Sequence, residues 1–419
     1  MTAALICGDG ELTGSELARR IAATDPGVDV PGRVVPIVDS DRVAALIRAL
    51  AVRDAGGVPL IGDDRWNPAY WAELRDRVRA AAPVPEMAWA TFTSGSSGAP
   101  RTVLRTEESW SESFAAVTRL TGLTAADVVY LPAPLVSSMT VFSVAHARHL
   151  GATVLLPRTH TVSAADLSVA TVLHGTPYAL RDVLERIEGG AAHRLRVALI
   201  GGARLDPDLL ARAGTAGIRV VSYYGAAELS FVAVDADGHG LRPFDGVELR
   251  VDVNSVLWVR SSYVAGGYLA GGYLAGTGGP LRRDADGWAT VGDLAAETGA
   301  GRLRLLGRDD GAILTAGATV IPEDVEAILP RVEGIADAVV FAFPHARTGD
   351  LLAAVIELEP GHRPPSAGEL RARTETLLTG THRPRLWFFT DRLTRTPTGK
   401  PAREQIRRDA LEGRVSRIV

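Results

Sequence analysis

Thr93-Ser94-Gly95-Ser96-Ser97-Gly98-Ala99-Pro100-Arg101 follows an apolar, strand-like run, Trp89 to Phe92, and leads towards a helical stretch from Glu107 to Thr121. Gly95 and Gly98 allow close backbone approach, and the hydroxyls with the free N–H groups suit phosphate oxygens. Arg101 adds a permanent positive charge. The pattern is not the Walker one, because the glycines stand three apart and no Gly-Lys-Ser/Thr follows. A Gly/Ser turn is also an ordinary loop, so the rest of the chain must decide its role.

Around this turn, strand and helix patterns alternate. Thr13 to Ala23, Asp41 to Arg53 and Trp71 to Ala82 read as helices, with Asp41 as a cap. Val128 to Leu131, Thr153 to Leu156, Val169 to His174, Val197 to Ile200 and Val220 to Tyr223 are short β-rich runs with helical stretches between them. That alternation predicts stacked α/β layers. After Tyr224 the texture becomes β-rich, with an antiparallel pair about Asn254. Gly266-Gly267-Tyr268-Leu269-Ala270 is repeated at once as Gly271-Gly272-Tyr273-Leu274-Ala275, and reads as a short duplication in a loop. From Arg308 a smaller α+β unit begins, so residues 1–308 are expected to form a large domain and 309–419 a small mobile one.

The 419 residues carry 45 Lys and Arg against 49 Asp and Glu, a formal charge of −4. Such a balance provides no basic field for nucleic acid or an anionic membrane. The lone Cys7 excludes an intramolecular disulfide and any cysteine-based zinc cluster. Met1 to Gly10 has no basic region and meets Asp9 and Glu11 too early for a signal peptide, so a cytoplasmic protein is expected. Val128 to Ala147 holds no charged residue, but Pro132 and Pro134 divide it into a strand, a turn and a helix start rather than a membrane span.

Five ordered segments resemble the motifs of the adenylate-forming superfamily, which includes acyl-CoA synthetases, peptide-synthetase adenylation domains and luciferases. They are the Gly/Ser turn, Tyr223-Tyr224-Gly225-Ala226-Ala227-Glu228, Gly287-Trp288 with Thr290 and Gly292-Asp293, Gly307-Arg308-Asp309-Asp310 through Glu326, and Thr396-Pro397-Thr398-Gly399-Lys400. The resemblance implies that a carboxylate attacks the α-phosphate of ATP, giving an acyl-adenylate and pyrophosphate. A thiol of CoA, or of a carrier protein's phosphopantetheine arm, then displaces AMP. In that scheme Thr93, Ser94, Gly95, Ser96, Ser97, Gly98 and Arg101 hold phosphate. Tyr224, Gly225 and Ala226 flank adenine. Asp293 and Arg308 bind ribose, and Glu228 holds Mg²⁺. Lys400 stabilises the charge that builds on the α-phosphate. Asp310 is the expected hinge, and Gly317 the close-approach point for the thiol arm.

This chain departs from the family pattern in several places. Only about 92 residues precede the turn, Arg101 replaces a lysine, Glu107 a histidine or aromatic, and Ala227 a threonine. Leu135 and Ser138 fall on pocket positions. The serine there replaces the carboxylate that binds an α-ammonium, which disfavours an α-amino acid. With Met139, His174, Gly201, Gly202 and Tyr223 they predict a pocket for a small aromatic or medium acyl acid. The expected protein is a monomeric or homodimeric acid–thiol ligase. Its rivals are an adenylation enzyme that loads a carrier protein or uses an amine, and an inactive nucleotide-binding homologue.

Overall fold

A computed structural model describes the chain apart from residues 1–2, 9, 28, 64–67, 94–100, 159–161, 203–204, 206, 271–272, 276–279, 300, 309–312, 316–317, 321, 327, 346–348, 360 and 395–402. Two compact units are present. One comprises Met1–Arg65, Glu73–Thr93 and Thr102–Gly307; the other Trp66–Ala72, Ser94–Arg101 and Arg308–Val419.

In the first unit, among the described residues, a nine-stranded sheet runs in the spatial order Arg242–Pro243, Ser230–Asp235, Arg219–Ala226, Val197–Ile200, Val172–Gly175, Val128–Tyr130, Thr153–Leu156, Ala3–Cys7, Gly10–Thr13. Its middle strands are parallel. Every residue of Thr153–Leu156, Val172–Gly175 and Val197–Ile200 is buried, which is why these strands read as continuous apolar runs and not as alternation. The intervening helices start where polar side chains take orphan N–H groups: Thr13 with Glu16 forms a capping box, and Asp41 accepts from Val43 and Ala44 at 2.8 and 3.2 Å. Val128–Tyr130 and the helix Ser138–Leu150 divide the uncharged stretch as its prolines predict. No helix among the described residues is long and apolar enough to cross a membrane.

A six-stranded sheet orders Val34–Ile37, Val58–Ile61, Trp89–Thr93, Arg101–Arg105, Gly267–Ala270 and Tyr273–Ala275. The helix expected over Glu107 to Thr121 is borne out as Glu108–Thr121, and before it stands the strand Arg101–Arg105, which the sequence reading lacked. The sheet corrects one expectation: the first copy of the repeated pentapeptide forms the strand Gly267–Ala270 and is not a loop. This strand pairs with Arg101–Arg105 on one side and with the second copy on the other, in the register Tyr268↔Ala275, Leu269↔Leu274. Tyr268 is a β-favouring residue, and the strand was hidden in the sequence by the flanking glycines.

The second unit centres on Ile335–His345 paired antiparallel with Gly349–Leu358; Leu386–Thr390 runs parallel beside the latter, and Ser416–Ile418 pairs antiparallel with Leu386–Thr390. Alternation sends Val340, Ala354, Ile356 and Trp387 to one apolar core and Val339, Phe341, Val355 and Phe388 to the other, so both faces of this sheet are covered. Leu386–Thr390 and Ser416–Ile418 lay beyond the sequence reading; one follows a Pro/Arg segment and the other is three residues long.

Candidate active site

Arg219–Ala226 carries four of the predicted residues, Tyr223, Tyr224, Gly225 and Ala226, to one end of the nine-stranded sheet, where the chain turns into Ser230–Asp235. The pairing slips between Tyr224 and Gly225. A Cβ on Gly225 would sit 2.2 Å from the backbone oxygen of Ser230, so only glycine fits this turn. Glu228 follows it and is 98% buried, being 2% exposed. Its backbone oxygen accepts from Ala265 N at 2.7 Å. Its carboxylate Oε1 accepts from the Tyr268 hydroxyl at 2.9 Å.

Beside Glu228 lies Arg105, fully buried. Its guanidinium donates to the carbonyl of Tyr263 at 2.8 and 2.9 Å, to that of Ala227 at 3.2 Å and to Ser109 Oγ at 3.0 Å, and its Cζ lies 5.5 Å from the centroid of the Trp110 ring. Burial pulls the Arg105 pKa down to about 9, against the opposing pull of the Glu228 charge. Arg105 is therefore cationic at neutral pH.

Tyr224 donates its hydroxyl to Asp293 Oδ2. Asp293 opens the strand Asp293–Glu297 after Gly292, which has φ +84° and donates its N–H to Thr290 Oγ1 at 3.0 Å. Two sequence motifs 69 residues apart thus meet at one carboxylate. An aromatic ring beside a carboxylate acceptor is a combination that can pack against a flat ring and accept from hydroxyl groups.

A third group is uncharged. His174 is buried in Val172–Gly175, shares a hydrogen bond at Nδ1 with Ser143 Oγ, and another at Nε2 with the Tyr223 hydroxyl at 2.9 Å. Burial, with His146 nearby, pulls its pKa down to about 3, so the ring is neutral. Burial likewise pushes the Tyr223 hydroxyl up and keeps it protonated. The Tyr223 ring packs over Gly201, where a Cβ would come within 2.3 Å of its Cζ. Gly202, at φ +84°, stands where a Cβ would lie 3.7 Å from Thr176 and 4.0 Å from Met139. Met139, His174, Gly201, Gly202 and Tyr223 are therefore brought together, and Ser138 opens the helix that carries Met139. Leu135 is not: it lines a buried apolar hollow with Leu46, Leu50, Trp89 and Val144. An apolar side chain after Pro134 is driven into the core, not to a ligand wall.

Ser94, Gly95, Ser96, Ser97, Gly98, Asp310, Gly317 and Lys400 lie outside the described residues. Thr93 ends the strand Trp89–Thr93, Arg101 opens Arg101–Arg105, and Arg308 ends Leu303–Arg308. Glu107 does not face this site: its carboxylate accepts from Trp89 Nε1 at 2.9 Å and from Arg53 at 3.2 Å. The sequence reading missed Arg105, Tyr268 and Ser143. The signal for Arg105 was a charge at the end of the run Thr102-Val103-Leu104, all buried. That for Tyr268 was the repeat itself. Among the described residues no three His, Cys, Asp or Glu cluster as a metal cage. A lone buried carboxylate oxygen fits a hard cation that takes most of its ligands from phosphate and water.

The family model described as AMP-binding enzyme matches residues 2–269, and the one for its C-terminal domain matches residues 324–400. The chain belongs to the AMP-binding enzyme family. An uncharacterized acyl–CoA ligase of Bacillus subtilis is 27% identical over 76% of this chain and 67% of its own length. A (7a-methyl-1,5-dioxo-octahydro-1H-inden-4-yl)propanoyl:CoA ligase of Mycobacterium tuberculosis is 31% identical over 88% of this chain and 77% of its own. The fold is shared with the o-succinylbenzoate CoA synthetase of Bacillus subtilis, with a TM-score of 0.81 at 20% identity, covering 100% of this chain and 96% of that one.

Proposed function

We propose that this chain is a Mg²⁺- and ATP-dependent acid–thiol ligase of the cytoplasm, which forms an acyl-adenylate and passes the acyl group to CoA. The observation that carries this reading is the Tyr224–Asp293 hydrogen bond, which builds a nucleoside-binding pair out of two separate family motifs. The related ligases named above support CoA as the acceptor.

In this reading Asp293 accepts from the ribose hydroxyls and Arg308 adds a donor near the ribose. Residues 94–98 and Arg101 surround the β- and γ-phosphates. Glu228 supplies a carboxylate oxygen to Mg²⁺, which neutralises phosphate charge when bound. Residues 1–308 bind ATP and acid; residues 309–419 bring Lys400 to the α-phosphate, turn about Asp310 and present Gly317 to the thiol arm. Neutral His174 offers a hydrogen bond but no charge, and Tyr223 and Met139 are largely apolar. The acid this suits has a single carboxylate and an apolar body, aromatic or of medium chain length.

Pyrophosphate release with Mg²⁺, ATP and a panel of carboxylic acids tests the reading, each acid with and without CoA. Release that needs one acid and quickens with CoA is expected. Acid-dependent release indifferent to CoA but stimulated by an amine or carrier protein would replace the acceptor, and no release with any acid would overturn the ligase. Lys400→Ala is expected to slow adenylation by about a hundred- to thousand-fold. Gly317→Leu is expected to block thioester formation more than adenylation.

A further inference from the structure

The repeated Gly-Gly-Tyr-Leu-Ala segment is the sequence feature that the proposed reaction leaves unused. Its first copy is a strand between Arg101–Arg105 and Tyr273–Ala275, and this places Tyr268, 1% exposed, against Glu228. The Tyr268 hydroxyl accepts from Leu281 N at 3.2 Å. A phenol has a single proton, so with an N–H pointing at its oxygen the proton goes to Glu228 Oε1, at 2.9 Å. Arg105 cannot perform this service. Its hydrogen bonds go to the carbonyls of Tyr263 and Ala227 and to Ser109, so it contributes a field near Glu228 and not a direct bond.

We infer that Tyr268 is a positioning residue: by holding Oε1 it fixes the carboxylate plane of Glu228 and leaves Oε2 aimed for a divalent cation carried by the nucleotide. This rests on the reading of Glu228 as the cation-holding carboxylate. Outer groups that orient a metal ligand are commonly worth about 10–100-fold in metal affinity. An unanchored buried carboxylate would rotate, and its orientation would have to be fixed anew at each binding event.

The test is direct binding of Mn²⁺ to the full chain with α,β-methylene ATP and no acid, read by electron paramagnetic resonance. Tyr268→Phe is expected to raise the Mn²⁺ dissociation constant by about 10–100-fold. Its affinity for the nucleotide in EDTA and its circular dichroism are expected to stay as they were. Tyr268→His, which keeps a ring and an N–H donor, is expected to fall between the two and serves if the phenylalanine chain does not fold. Glu228→Gln separates the two levels of inference. If it leaves Mn²⁺ affinity unchanged, the reading of Glu228 fails. If it weakens Mn²⁺ while Tyr268→Phe does not, only the positioning role fails. In the double variant the loss should equal that of Glu228→Gln alone; additive losses would mean that Tyr268 acts elsewhere and overturn the inference.

Discussion

Two buried polar groups in the first unit handle desolvation in opposite ways. Beside Glu228 the protein keeps a charge: Arg105 stays cationic because backbone carbonyls and Ser109 take its donors. Around His174 it gives charge up: the ring is neutral, and a serine, a histidine and a tyrosine share hydrogen bonds in a row. Burying an unpaired ion costs far more than burying a satisfied neutral dipole, so charge is retained only where local structure supplies full solvation. The charged group suits phosphate and cation; the neutral one suits the body of an organic acid.

The largest expected effect breaks the charged side. Arg105→Met removes donors from the Tyr263 and Ala227 carbonyls and leaves Glu228 buried without its nearby cation. A loss of about 3–5 kcal/mol is expected in urea unfolding. A change under about 1 kcal/mol would mean that the carbonyls find other partners.

The neutral side breaks with acid. His174 has a folded pKa of about 3 and His146, whose Nε2 meets Thr118 Oγ1 at 2.9 Å, one of about 4; both are lowered by burial. The unfolded chain binds these protons near pH 6.5, so it holds more protons than the folded chain below that pH. Stability is therefore expected to fall as pH drops from about 6.5 towards 4, by about 1.4 kcal/mol per pH unit for each histidine. His174→Gln should remove its share of the slope. An unchanged slope in that variant would place the titration elsewhere.

Smaller effects sharpen the contrast. Gly201→Ala puts a methyl where the Tyr223 ring now lies, and is expected to cost about 1–3 kcal/mol as the ring gives way. In the same variant the pyrophosphate assay should show altered acid preference with the KM for ATP near its wild-type value; a change confined to ATP would detach Tyr223 from the acid pocket. Tyr223→Phe removes one partner from His174 Nε2 and is expected to cost about 1 kcal/mol in thermal unfolding.

Much of this was legible in the chain. The α/β alternation, the cap at Asp41 and the strand–turn–helix division of Val128 to Ala147 follow from local periodicity and capping, which need no distant partner. Motif order pointed to Tyr224, Glu228 and Asp293. The strand character of the repeated pentapeptide was not legible, because glycine-rich strands take their identity from the neighbours they pair with. Leu135 misled the pocket reading because an apolar residue beside a ligand and one in the core look alike in one dimension.

By itself the sequence determined the family, the layered class and the chemical types assembled: phosphate-suited hydroxyls and glycines, the carboxylates Glu228 and Asp293, and the phenols Tyr223 and Tyr224. Only the tertiary structure decided which of them touch. Tyr268 reaches Glu228 across 40 residues, and Tyr224 reaches Asp293 across 69. Such contacts are set by sheet order and strand register, which depend on the free energy of the whole packed chain and leave no periodic mark in the segments that make them.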